Sequence, residues 1–154
     1  RGSNAGRNVL YSGTVAAVME GIMQGVPGIA FSAADYIDPI YSVMECFIPT
    51  VVDYALTYPL PAGTLLNVNF PKHMDEGIKG LRFAKQGKEY WSENPEKRTH
   101  PDRGDSYYWL GIKVAEFPED PISDIALLKE GYATAVSIQI CDLTHHAHFE
   151  QHQD

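Results

Sequence analysis

Cysteine is almost missing from this 154-residue chain: Cys46 and Cys141 stand alone, with neither CxxC spacing nor the density of a disulfide scaffold. That excludes a stapled extracellular module and a zinc ribbon, and it fits a reducing compartment, so a cytoplasmic protein is expected. Long apolar runs are also missing. No stretch of 18 or more apolar residues occurs, so no membrane-spanning helix and no membrane partner are expected. The start lacks the basic, apolar and small-residue regions of a signal peptide, but it also lacks an initiator Met, so that feature carries no weight against export. Basic side chains are scarce, 12 against 20 acidic ones for a net charge of −8, which argues against a partner that is a nucleic-acid polymer. Small phosphate esters stay open, because backbone amides and a metal ion bind them without a basic face. There is no G-x-G-x-x-G after a strand, no internal repeat and no low-complexity segment. Near the opening loop there is no carboxylate pair, nucleophile elbow or Cys-His pair, so no catalytic residue is assigned.

What the chain does have is a glycine-rich loop that runs directly into an amphipathic helix, over residues 1–28. Gly2, Ser3, Asn4, Gly6 and Asn8 supply small residues and amides, and Ser12, Gly13 and Thr14 stand where the helical apolar period begins. The first N–H groups of a helix lack internal partners, so Ser12 or Thr14 caps them while the remaining donors and the positive dipole end face an anion. Gly13 permits close approach to the backbone. Asn4, Ser12, Gly13 and Thr14 are therefore the candidate phosphate-binding residues. The same pattern also describes an ordinary capped helix after a flexible loop.

A helix is expected over residues 14–24, stopped by Gly25, followed by a buried strand at 28–32. From Pro39 a helical period runs to Leu56, with a kink or break near Pro49. Strands are expected at 64–70, 81–84 and 132–140. The polar stretch 85–105 is too long for a structureless loop in a compact domain. Tyr90 and Trp91 on one side, with Tyr107, Tyr108 and Trp109 on the other, predict a hairpin arm within residues 85–110, pairing 87–92 with 106–110 through those aromatics. Ser123 and Asp124 open a short helix, Asp124 favouring its positive end. His145, His146, His148 and His152 cluster near the end. His148 and His152, at i and i+4, have metal-ligand spacing with no third ligand evident, and no metal site is assigned there.

Several of these stretches resemble the SurE family of stationary-phase survival proteins, which are nucleoside monophosphatases. Its fingerprint reads S-G-I-N-x-G-x-N-x-G and then Y-S-G-T-V-x-A-A-x-E-G. Gly2, Asn4 and Gly6 match its second half, and Tyr11, Ser12, Gly13, Thr14, Val15, Ala17, Glu20 and Gly21 match the block that follows. Residues 66–71, 100–111, 123–132 and 142–144 are similar to further family segments. The resemblance implies an α/β, three-layer, doubly wound Rossmann-like fold with a mostly parallel sheet, a protruding β-hairpin arm and a C-terminal extension. It implies a single domain over residues 1–154, cut short at its N-terminus. On this register the chain begins one position after the Asn that the family uses as a metal ligand, with an Asp-Asp pair and a Ser also upstream. The expected activity is metal-dependent 5'-nucleotidase, with a divalent metal (Mg or Mn) in the full-length protein, ligands lying before residue 1, and this chain inactive alone. Expected partners are nucleoside monophosphates and further copies of the chain, as a homodimer or homotetramer through the arm and C-terminal region. The alternative is a non-catalytic oligomerisation or small-anion binding module.

Overall fold

The computed structural model describes residues 1–72 and 77–151. A 3-10 helix, Gly6–Tyr11, leads into α1 (Gly13–Met23). Ser12 caps α1 by accepting a hydrogen bond from the Val15 amide at 3.1 Å. The helix ends in a Schellman turn: Gly25, at φ 80°, donates to the Ile22 carbonyl and Val26 to the Gly21 carbonyl, each at 2.9 Å. Strand β1 (Ile29–Ala33) follows.

The expected long helix is two helices, α2 (Tyr41–Glu45) and α3 (Ile48–Thr57). The break falls just before Pro49, which occupies the first turn of α3, where its missing N–H costs nothing. Pro39 lies before α2 rather than in it. Next come β2 (Thr64–Phe70), β3 (Leu81–Phe83), β4 (Tyr90–Thr99), β5 (Ser106–Ala115), α4 (Asp124–Lys129), β6 (Ala133–Gln139) and α5 (His146–Glu150).

The main sheet has the order β1-β2-β6-β3. The pairs β1–β2 and β3–β6 are parallel, and β2–β6 is antiparallel. Every residue of β2 is buried, which identifies it as a strand covered on both faces. Alternation along it sends Leu66, Val68 and Phe70 into one cluster with Met44 of α2 and Val51 of α3. Leu65 enters a second cluster with Val15 of α1 and Val9. Helices on both faces make the three layers expected of a doubly wound fold. Each buried leucine or valine on β2 contributes about 1.5–3 kcal/mol.

The arm is a separate two-stranded sheet, longer and differently registered than expected. Its pairs run from Tyr90↔Ala115 to Thr99↔Ser106. Trp91 therefore faces Val114 and Trp109 faces Glu96, so the two aromatic groups lie at opposite ends of the ribbon instead of pairing. The tip decides this. His100 and Gly104 close the turn through His100 N–H to the Asp105 carbonyl and Gly104 N–H to the His100 carbonyl, and the turn fixes every pair behind it. Arg98, opposite Tyr107, lays its guanidinium over the Trp109 ring at 5.5 Å.

Near the C-terminus, His145 accepts the His148 amide at the start of α5, and His146 pairs with Asp142 at 2.9 Å. The pairing of His148 with His152 lies outside the described residues.

Candidate functional site at the carboxyl ends of two strands

Residues 2–4 lie across the carboxyl ends of β1 and β2, and the hydrogen bonds say why. The Gly2 amide donates to the Ala33 carbonyl at 2.9 Å, extending the edge of β1. The Asn4 amide donates to Asn69 Oδ1 at 2.8 Å, and Asn67 Nδ2 donates to the Asn4 carbonyl at 2.9 Å. Asn4 Nδ2 donates to the Ser32 hydroxyl at 2.6 Å, which leaves its Oδ1 as an available acceptor. Asn67 and Asn69 are two residues apart on a buried strand, hence on the same face as Leu65, and form a polar floor under the loop. Buried with them is Thr134, opposite Asn69 on β6; Asn67 Oδ1, Asn69 Nδ2 and Thr134 Oγ1 have no partner among the described residues. Ligands of open α/β sheets bind outside the carboxyl ends of the strands, at this kind of edge.

Ser12, Gly13 and Thr14 stand at the other end of the 3-10 helix. At about 2.0 Å of rise per residue, that helix puts them roughly 12 Å along the chain from Asn4. Ser12 is buried and its hydroxyl oxygen is committed to the cap, whereas Gly13 and Thr14 are exposed. A Cβ on Gly13 would meet nothing within 4 Å, so the backbone at the α1 N-terminus is open to an incoming group. No hydrogen bond links Asn4 directly to this triplet among the described residues. The predicted residues thus form two stations on one loop, one polar and anchored to the sheet, the other a helix end facing outward.

Asp124 has a larger part than the dipole partner expected of it. It is 1% exposed, and its carboxylate accepts the amides of Gly6 (2.9 Å), Gly87 (2.7 Å) and Ile125 (2.8 Å). Burial pushes its pKa up, and the three N–H bonds act in the opposite direction. Ser123 caps α4 as expected, its hydroxyl accepting the Ala126 amide at 3.2 Å.

The chain matches the family profile described as "Survival protein SurE" over residues 1–93. It belongs to the SurE family. It is 61% identical over 148 residues to the 5'-nucleotidase SurE of Protochlamydia amoebophila, covering 96% of this chain and 57% of that protein. With the 5'-nucleotidase SurE of Christiangramia forsetii it shares 41% identity, covering 96% of this chain and 56% of that protein. The crystal structure of the SurE protein from Aquifex aeolicus superposes with a TM-score of 0.78 at 30% identity, covering 99% of this chain and 60% of that one. The chain therefore has the SurE fold, and it spans a little over half the length of the SurE relatives it matches.

Sequence reasoning missed the part that three residues play around this candidate site. Asn67 and Asn69 carried a signal, since two asparagines at i and i+2 in an otherwise apolar strand require buried partners. The reach of Asp124 carried none, because its partners Gly6 and Gly87 lie 118 and 37 residues away.

Proposed function

We propose that this chain is the phosphate-binding part of a metal-dependent nucleoside monophosphatase of the SurE family, acting in the cytoplasm on phosphate monoesters. The observation that carries this reading is the 61% identity, over 96% of the chain, to a 5'-nucleotidase SurE. The two stations on the opening loop divide the work. At the α1 end, the amides of Gly13 and Thr14, which a helix leaves without internal partners, together with the Thr14 hydroxyl, donate to the equatorial phosphoryl oxygens as charge builds there. Ser12 holds that end in shape. At the other station, Gly2, Asn4, Gly6 and Asn8 also satisfy the G-x-N-x-G-x-N of the family fingerprint. That register moves Asn4 onto the fingerprint's first Asn, the metal-ligand position, and is preferred here because it matches Asn8 as well.

A hard divalent ion such as Mg or Mn takes oxygen ligands, usually with carboxylates among them. Asn4 Oδ1, free to accept and oriented by the bond to Ser32, fits one such ligand. Among the described residues no group of three or more His, Cys, Asp or Glu is placed to hold a metal, so further ligands would be needed beside Asn4. The ion, when bound, would neutralise phosphoryl charge and activate the attacking water. What the chain's own residues do is orient the ester and stabilise its oxygens.

The test is phosphate release from nucleoside 5'-monophosphates, with magnesium or manganese, by the protein at the length of its relatives and by the 154-residue chain. Turnover is expected from the first and negligible turnover from the second. Metal-dependent hydrolysis by the chain alone would show that the reactive centre lies within these residues. No turnover from the longer protein would leave the second reading, a non-catalytic assembly or anion-binding module. That reading is favoured by one feature, the exposed Trp91, Tyr108 and Trp109 of the arm.

A further inference from the structure

We propose that Asp124 is a positioning residue that fastens the Asn4 loop to the root of the arm, so that loop and arm root behave as one unit. The proposal rests on the reading of that loop as part of the phosphate site.

One oxygen of the buried carboxylate accepts the Gly6 amide, just after Asn4, and the other accepts the Gly87 amide, just before β4. An ionised carboxylate has acceptors on both oxygens and no donor, so each of the two loops meets an oxygen of its own, whereas an amide side chain would turn an NH₂ donor toward one of the two N–H groups. A second row of bonds runs beside it. The Arg7 amide donates to the Glu89 carbonyl at 3.0 Å, the Trp91 amide to Asn8 Oδ1 at 2.7 Å, and Gln86 Nε2 to the Gly6 carbonyl at 2.9 Å. The next two amides of the arm root, Lys88 and Glu89, both donate to Glu119 Oε1, and Lys129 of α4 pairs with Glu89 at 2.7 Å.

The packing is as close as the bonding. A Cβ on Gly6, whose φ is 58°, would lie 2.5 Å from the Glu89 carbonyl oxygen. One on Gly87 would lie 2.5 Å from Ile125 Cγ1 and 2.9 Å from Asp124 Oδ1. Glycine is required at both places by contact between the two loops and α4. The plainer explanation of Asp124, a helix-capping acid, is already met by Ser123.

Amide hydrogen exchange on the 154-residue chain tests this without turnover. Arg7 and Trp91 do not bond Asp124, so they report whether the two loops are held as a unit. Asp124→Ala is expected to speed exchange at Gly6, Arg7, Gly87 and Trp91 together by about tenfold or more, with Leu66 and Val68 of β2 unchanged. Acceleration confined to Gly6, Gly87 and Ile125 would reduce Asp124 to a local acceptor and overturn the proposal. So would uniform acceleration that includes β2. If Asp124→Ala does not fold, Asp124→Asn replaces it. Paired loosening of Arg7 and Trp91 then supports the proposal, and loosening of one alone or of neither overturns it. In the longer protein, Asp124→Asn should lower kcat by about tenfold or more while KM changes little, because the loop is misplaced for the reaction more than for docking. An inactive parent protein would sink the nucleotidase reading and leave the exchange result to decide the proposal by itself.

Discussion

Ser12 and Thr14 are separated by one glycine, yet the structure gives them different tasks. Ser12 is buried and holds the Val15 amide, so Ser12→Ala should cost about 1 kcal/mol of stability, read from a melting curve, and leave any turnover of the longer protein nearly intact. Thr14 faces outward. If its hydroxyl meets the phosphoryl group, Thr14→Val in the longer protein should leave melting unchanged and lower turnover about a hundredfold, the loss seen for one oxyanion donor. Asn4→Ala should also lower turnover and additionally weaken metal affinity, measurable by metal titration, if Asn4 Oδ1 is a ligand. A Thr14 variant that melts earlier and turns over normally would make the α1 end purely structural. At this scale the sequence disclosed what is local: S-G-T ahead of an apolar period announces a capped helix, and Ser12 is the cap. It could not disclose that Asn4 is set between Ser32 and Asn69, because those contacts exist only once the strands align.

Among the elements, β2 was readable to the residue and the arm was not. TLLNVNF is a short run between turn residues, so its limits are punctuated by the chain itself. The break before α3 was equally visible, since proline settles a helix boundary by chemistry. The arm's register was hidden because aromatic content says that two strands pair but not which residues meet; the tip turn decided that. The register also supplies a clean deletion. Asn94 and Gly111 are opposite one another, so removing residues 95–110 joins them as Asn-Gly, a favoured two-residue hairpin turn. We propose that the arm and the C-terminal region join copies of the chain. The shortened protein is then expected to show a lower light-scattering mass with unaltered helical circular dichroism, and an unaltered mass would remove the arm from the assembly.

For the molecule as a whole, β2 contributes to both apolar clusters: Leu65 faces the α1 side and Leu66 the α3 side. Either Leu→Ala change should cost about 2–5 kcal/mol, and both should lower the urea midpoint without splitting the transition, because β2 ties the two layers into one cooperative unit. Separate transitions for the two layers would contradict this. The layered α/β class was legible through the resemblance of these stretches to the SurE family. The antiparallel seam between β2 and β6 was not, since pairing across so much intervening chain leaves no local mark. That seam has a consequence during synthesis. Thr64 pairs with Gln139 and Asn69 with Thr134, so β2 leaves the ribosome about 65–75 residues ahead of the strand that covers its second edge. At about 5–20 residues per second, the strand buried along its whole length waits several seconds or more with one side unpaired. Nascent chains halted between residues 70 and 133 should therefore be the ones that chaperones hold.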